Sequence, residues 1–101
     1  MSPVAKLGVV VPVYRGEATL EELHRRLTAT LAAETDDWQI VYVEDGSADR
    51  SWPIVEAFAA GSSRVTALRL IRNYGEHVAI TAGLDAVDAD PVRVRTGAET
   101  A

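Results

Sequence analysis

The chain contains no cysteine, which excludes a disulfide framework and any thiolate-held metal. It is also poor in positive charge: ten Lys and Arg residues stand against fifteen Asp and Glu residues, for a formal net charge of -5. The cations are scattered, with Arg25-Arg26 the one adjacent pair, so there is no basic stripe for a phosphate backbone and nucleic acid is not an expected partner. Long apolar runs are missing too. Leu7 to Val13 is the longest near the start, and it is too short for a membrane span or for a signal peptide with its cleavage site. The expected location is therefore cytoplasmic. The sequence has no G-x-G-x-x-G, no G-x-x-x-x-G-K-[ST] and no G-x-S-x-G, which removes the main support for dinucleotide, P-loop and serine-hydrolase readings. His24 and His77 have no partner at metal-ligand spacing; both are expected to be solvated, and no metal site is expected from them.

What is present is ordinary globular composition, 48% hydrophobic and 25% charged over 101 residues, enough for one domain with a thin core. Leu7 to Val13 is a continuous, largely β-branched run, the pattern of a strand buried on both faces of a parallel sheet. Thr19 with Glu22 forms a capping-box pattern, and Leu20, Leu23, Leu27 and Leu31 then recur at helical spacing. Trp38 to Val43 predicts a second strand. Asp49 or Ser51 can cap a second helix, with Pro53 in its first turn and Trp52, Val55, Phe58 and Ala59 on its buried side, ended by Gly61-Ser62-Ser63. Val65 to Ile71 predicts a third strand. Gly75 to Val87 predicts a third helix whose apolar positions are Val78, Ile80, Ala82, Leu84 and Val87; Gly83 within it costs about 1 kcal/mol relative to Ala and suggests a close approach of the backbone. Strands about 30 residues apart with helices between them are the spacing of βαβ units, so the predicted fold class is α/β, an open and mostly parallel sheet. Val92 to Arg95 alternates and reads equally as a short edge strand or as a frayed tail.

In such a sheet the ligand lies beyond the carboxyl ends of the strands. Three loops meet that condition: Pro12 to Glu17, Glu44 to Asp49, and Arg72 to His77. A carboxylate at a strand end suits the ring N–H of a uracil or guanine, and a nearby aromatic offers a stacking face. Asp45 and Tyr14 fit those roles, although Asp-Gly is also a common turn dipeptide. Arg72, Asn73 and Gly75 stand at the mouth of the third helix, where free N–H groups and a cation can meet a diphosphate; a solvated Arg beside a Gly-started helix is the plainer alternative.

Taken in order, Val9-Val10-Val11-Pro12-Val13-Tyr14, Val43-Glu44-Asp45-Gly46-Ser47-Ala48-Asp49-Arg50-Ser51-Trp52, and Arg72-Asn73-Tyr74-Gly75 running into Ala79-Ile80-Thr81-Ala82-Gly83-Leu84-Asp85 resemble the family 2 glycosyltransferases, and the third block resembles their polyprenyl-phosphate branch. The resemblance covers about residues 7 to 90. It implies the nucleotide-binding half of a GT-A type fold over residues 1–90, with 91–101 a divergent tail, and a nucleoside-diphosphate sugar as ligand, transferred with inversion to an acceptor such as a polyprenyl phosphate at a membrane surface. It also implies sites: Pro12, Tyr14 and Glu17 around the base and ribose, Asp45 as the base-reading carboxylate, and Arg72 and Gly75 beside the sugar-nucleotide. Catalytic residues remain unassigned.

Three departures stand out. The family often has Asn where this chain has Arg15, and Asp where it has Glu44. After Asp90 the family continues with an apolar strand ending in an Asp-x-Asp motif that holds Mg²⁺ or Mn²⁺ against the leaving diphosphate, whereas this chain reads Pro91-Val92-Arg93-Val94-Arg95-Thr96-Gly97. No complete metal site is thus expected, and the chain alone is expected to be inactive. The alternative reading is a non-catalytic nucleotide-binding or interaction module. A receiver-like phosphorelay domain ranks below both, because Lys6 is the sole lysine. Uncovered apolar surface on the third helix predicts self-association.

Overall fold

The computed structural model describes residues 7–87 and 92–94. The elements run β1 (Leu7–Val13), α1 (Leu20–Glu34), β2 (Trp38–Glu44), α2 (Ser51–Ala60), β3 (Val65–Arg69), α3 (Glu76–Ala86) and β4 (Val92–Val94). The four strands form one parallel sheet in the order β3-β2-β1-β4. The α/β class and the parallel pairing are those expected from the sequence. Of the two expectations for the segment after Asp90, the edge strand holds over Val92–Val94, in register with Gly8 to Val10; the other residues of the predicted tail lie outside the described residues.

Each face of the sheet carries its own core. Val9, Val11, Val13, Ile40 and Tyr42 point to one side and pack with Leu20, Leu27 and Leu31 of α1 and Val55 of α2. Val10, Val41 and Val43 point to the other side and meet Ala79 of α3. This is the alternation of a strand buried on both faces.

Three local expectations are corrected. Thr19 stands at the N-cap of α1 without a side-chain cap bond, because its hydroxyl donates back to the Gly16 carbonyl at 3.3 Å and Glu22 is held by Arg25 and Arg26, each at 2.6 Å. Two guanidiniums at i+3 and i+4 outcompete a backbone N–H for that carboxylate. β3 stops at Arg69, not Ile71. Its ladder partner Glu44 is the last residue of β2, and Ile71, beyond the ladder, is 89% exposed. Finally, α3 buries Ala79 and Gly83, with Ala82 and Val87 of the expected positions packed against that core, while Val78 and Leu84 are exposed. A Cβ at Gly83 would collide with the side chains of Val10 and Val43, so the glycine is what lets α3 lie flat on β1 and β2.

The strand order shapes the carboxyl-terminal end of the sheet. α1 and α2 cover one face and α3 the other, with β1 flanked by β2 and β4. The connections at the β1–β4 pair therefore lie on opposite faces, α1 leaving β1 on one and α3 preceding β4 on the other, and the crevice beyond the carboxyl ends of strands at such a switch is where open α/β sheets bind ligands.

Candidate functional site

At that end of the sheet a cleft of ≈ 140 Å³ is lined by Pro12, Val13, Tyr14, Asp45, Asn73, Gly75 and Glu76. Four of the six residues singled out in the sequence, Pro12, Tyr14, Asp45 and Gly75, thus come together across three loops. Pro12 and Val13 end β1 and form an apolar floor, and Tyr14 stands half-buried at the rim.

Asp45 is the best-anchored polar group of the cleft. It is 2% exposed. Its Oδ1 accepts the Tyr74 N–H at 2.9 Å, and its Oδ2 accepts the Gly75 N–H at 3.0 Å and the Asn73 Nδ2 at 3.1 Å. Asn73 Nδ2 also reaches the Asp45 carbonyl at 3.2 Å. These bonds tie the end of β2 to the entry of α3. Gly46 makes the contact possible: its φ is +75°, and a Cβ there would strike the backbone of Arg72 and Asn73. The partners of the Asp45 carboxylate thus lie at the entry of α3 and not in its own Asp-Gly bend.

Glu17 and Arg72 are placed elsewhere. Glu17 belongs to a clasp between the β1–α1 and β2–α2 loops. Its Oε1 accepts the Arg50 N–H at 3.0 Å, and its own N–H approaches Asp49 Oδ2 at 3.4 Å. Two further bonds complete the clasp, Arg15 N–H to Ser47 Oγ at 2.8 Å and Gly16 N–H to Ser51 Oγ at 2.9 Å. Asp49 Oδ1 also accepts the Ser51 N–H at 2.9 Å, but the N-cap of α2 is Arg50 and carries no side-chain cap bond, so neither Asp49 nor Ser51 is the cap expected from the sequence, the Ser51 hydroxyl being taken by Gly16. Burial would raise the Asp49 carboxyl, but the hydrogen bonds from Ser51 and Glu17 and the charge of Arg15 hold it below the ordinary carboxylate value. Arg72 is exposed and lies over the Tyr74 ring at 5.2 Å, as Arg15 lies over Tyr14 at 5.4 Å. Each is within cation–π reach.

Arg15 has φ +56°, in the left-handed region that Asn tolerates better than a long side chain. The departure from the family's frequent Asn thus falls on a backbone-strained position. Residues that the sequence reading missed are Ser47 and Ser51 as loop anchors, Asn73 as partner of Asp45, and Glu76 as part of the lining. A run of small polar residues in a strand-end loop was the available signal, but their partners lie 28 to 35 residues away in sequence. His77 is exposed, as expected. His24 is not freely solvated: its Nδ1 meets the Tyr42 hydroxyl at 2.7 Å and its ring stacks on Phe58 at 3.9 Å. Burial lowers its pKa and raises that of Tyr42. Tyr42 carries a hydroxyl into the core and needs a partner there, which α1 supplies one turn after its start.

Among the described residues no group of three or more His, Cys, Asp or Glu side chains could hold a metal ion. Asp85 is exposed on α3, and Asp88 and Asp90 lie outside the described residues. No helix among them is long and apolar enough to cross a membrane.

Comparisons with known proteins bear on the family and the fold. The model of the glycosyl transferase family 2 matches residues 8–94. The undecaprenyl-phosphate 4-deoxy-4-formamido-L-arabinose transferase of Salmonella paratyphi A is 40% identical over 90 residues, covering 88% of this chain and 28% of that protein. The enzyme of the same name from Salmonella choleraesuis is 39% identical over the same shares. The chain therefore spans 28% of the length of these relatives. Among solved structures, S. aureus TarS 1-349 in complex with UDP superposes with a TM-score of 0.73 at 25% identity, over 90% of this chain and 27% of that one. With the fold, the strand-end cleft and a family match that runs from β1 into β4, the chain belongs to glycosyl transferase family 2.

Proposed function

We propose that this chain supplies the nucleotide-binding part of a glycosyltransferase that takes a sugar from a nucleoside diphosphate and delivers it to a polyprenyl phosphate. The relatives' printed name supports the lipid-phosphate acceptor, and the UDP in the TarS complex supports the nucleotide. The observation that carries the reading is Asp45, a buried carboxylate held on the cleft wall beside Tyr14 by three donors. A carboxylate has about four lone-pair sites, and those three donors leave one. A single remaining acceptor matches the one imide N–H of uracil better than the two-donor edge of guanine, so the reading extends to a uridine nucleotide with its base against Pro12 and Tyr14.

The divalent cation that the family resemblance implies, Mg²⁺ or Mn²⁺, finds no donor set among the described residues. No step is assigned to it. Localisation follows the acceptor: a cytoplasmic domain working peripherally at a membrane surface.

The test is an amide NMR titration of the labelled chain with UDP-sugar and with GDP-sugar, with and without Mg²⁺. The expected result is shifts at Tyr14, Asp45 and Gly75 with UDP-sugar, and an affinity at least about tenfold weaker for Asp45→Asn, which turns an acceptor into a donor in a desolvated place. No shift with either nucleotide would end the proposal; stronger binding of the guanosine form would reverse the base assignment.

A second reading rests on one feature. Val78 and Leu84 are 46% and 42% exposed on the outer side of α3, which favours self-association through that face. Sedimentation of the chain and of Leu84→Ser separates the two: a monomer at all concentrations rejects it.

A further inference from the structure

We infer that Glu44 is a positioning residue of the cleft, acting through Ser47 on the backbone of Arg15 and hence on the wall formed by Tyr14. The inference rests on the nucleotide reading above and adds to it a residue that does not line the cleft.

Glu44 is wholly buried at the last position of β2. By strand alternation it shares the side of the sheet that Ile40 and Tyr42 occupy, away from the Asp45 side. A carboxylate is a poor choice for such a place unless its acceptors are needed. One of them is: Oε2 accepts the Ser47 N–H at 2.6 Å. The other, Oε1, has no hydrogen-bond partner among the described residues, and its nearest cation is Arg69 Nε at 3.6 Å, whose side chain is 50% exposed and lies over Trp52. The well-made bond of Glu44 is therefore the one to Ser47.

Ser47 is itself buried and passes the constraint on, because its Oγ accepts the Arg15 N–H at 2.8 Å. Arg15 is the non-glycine residue among those described with a left-handed backbone, φ +56°, a conformation that a residue with a Cβ adopts only when its surroundings impose it. The imposing contact is the Ser47 hydroxyl, and Ser47 is fixed by Glu44. Tyr14 is the residue immediately before that strained unit and carries the Arg15 guanidinium over its ring. Releasing Arg15 from φ +56° rotates the peptide that joins it to Tyr14, so the aromatic wall of the cleft moves. The neighbouring bond, Gly16 N–H to Ser51 Oγ, does not pass through Glu44 and is an internal control.

The experiment compares the wild-type chain with Ser47→Ala, Glu44→Gln, and Ser47→Ala combined with Arg15→Asn. Three readouts are taken: amide hydrogen exchange at Arg15 and Gly16 without ligand, the Tyr14 amide shift, and affinity for UDP. Ser47→Ala is expected to speed exchange at Arg15 while Gly16 keeps its protection, to shift Tyr14, and to weaken UDP binding roughly three- to tenfold, the worth of one hydrogen bond. Glu44→Gln is expected to act in the same direction. The Arg15→Asn partner change is expected to recover part of the UDP affinity, since Asn accepts the left-handed backbone unaided. A general loss of protection, with Gly16 released as much as Arg15, would reduce Glu44 and Ser47 to ordinary packing and overturn the inference. So would wild-type exchange at Arg15 in Ser47→Ala with UDP binding intact. A wild-type chain that binds no nucleotide would overturn the nucleotide reading itself, and the positioning role with it.

Discussion

The two faces of the sheet are closed by opposite means. On the α1/α2 face, Leu20, Leu27 and Leu31 project into β-branched and aromatic side chains from β1 and β2, and the gap between helix and sheet is filled by volume. On the α3 face the buried positions of the helix are Ala79 and Gly83, and the gap is closed by bringing the backbones together. Both solutions reach close packing, but they fail differently. The first is sensitive to removing atoms and the second to adding them. The second also leaves the larger apolar residues of its helix, Val78 and Leu84, on the outside.

This contrast can be broken from either side. The largest effect is expected from Leu27→Ala on α1, which empties a buried site and should cost about 2–5 kcal/mol, read as a shift of the urea midpoint at constant slope. A loss below about 1 kcal/mol would mean that this face is loosely filled. Gly83→Ala on α3 should destabilise by about 1–3 kcal/mol through overpacking against Val10 and Val43, even though it recovers about 1 kcal/mol of helix propensity. A stabilised variant would show that α3 can ride higher on the sheet. The smallest effect concerns His24, which is bound to Tyr42 on the leucine face. Burial holds its pKa below the ordinary value of about 6.5. Above that value the imidazole is neutral whether the chain is folded or not. As pH falls below it, the unfolded chain takes up the proton first, so stability declines until the folded-state pKa is reached and then levels off. The slope cannot exceed about 1.4 kcal/mol per pH unit for one proton. His24→Asn should flatten the profile in this window, and an unchanged profile would show that the ring titrates as if free. The lowered carboxyls of Glu22 and Asp49 act in the range below the ordinary carboxylate values, where their stabilisation is lost as pH falls.

The same contrast explains how legible each part was. β1 and β2 were readable nearly to the residue because an unbroken apolar run leaves a parallel strand few alternatives. α1 was readable because its leucines do the packing. The buried side of α3 was only partly readable, since a periodicity count looks for large apolar residues and this helix packs through Ala79 and Gly83; Gly83, Ala82 and Val87 were the hints that held. The end of β3 was misplaced because Leu70 and Ile71 continue the apolar run, while the strand's length is set by where β2 stops offering partners.

The candidate site divides in the same way. Its chemical types were visible in three strand-end loops, and Asp45, Tyr14, Pro12 and Gly75 meet in one cleft as a parallel sheet requires. Glu17 and Arg72 stood equally prominent in sequence, yet one is taken up by the Arg50 N–H and the other lies exposed against Tyr74.

By itself, then, the sequence determined the α/β class, the three strand-end loops and the residue types they carry, because those follow from local periodicity and from where apolar runs end. The tertiary structure decided the strand order that puts β1 between β2 and β4, the flat seating of α3, and the partners of Asp45, Glu44 and Ser47. The bonds that fix the cleft join residues about 30 positions apart, with no local pattern to announce them, and they exist only once the sheet has brought the three loops to one edge.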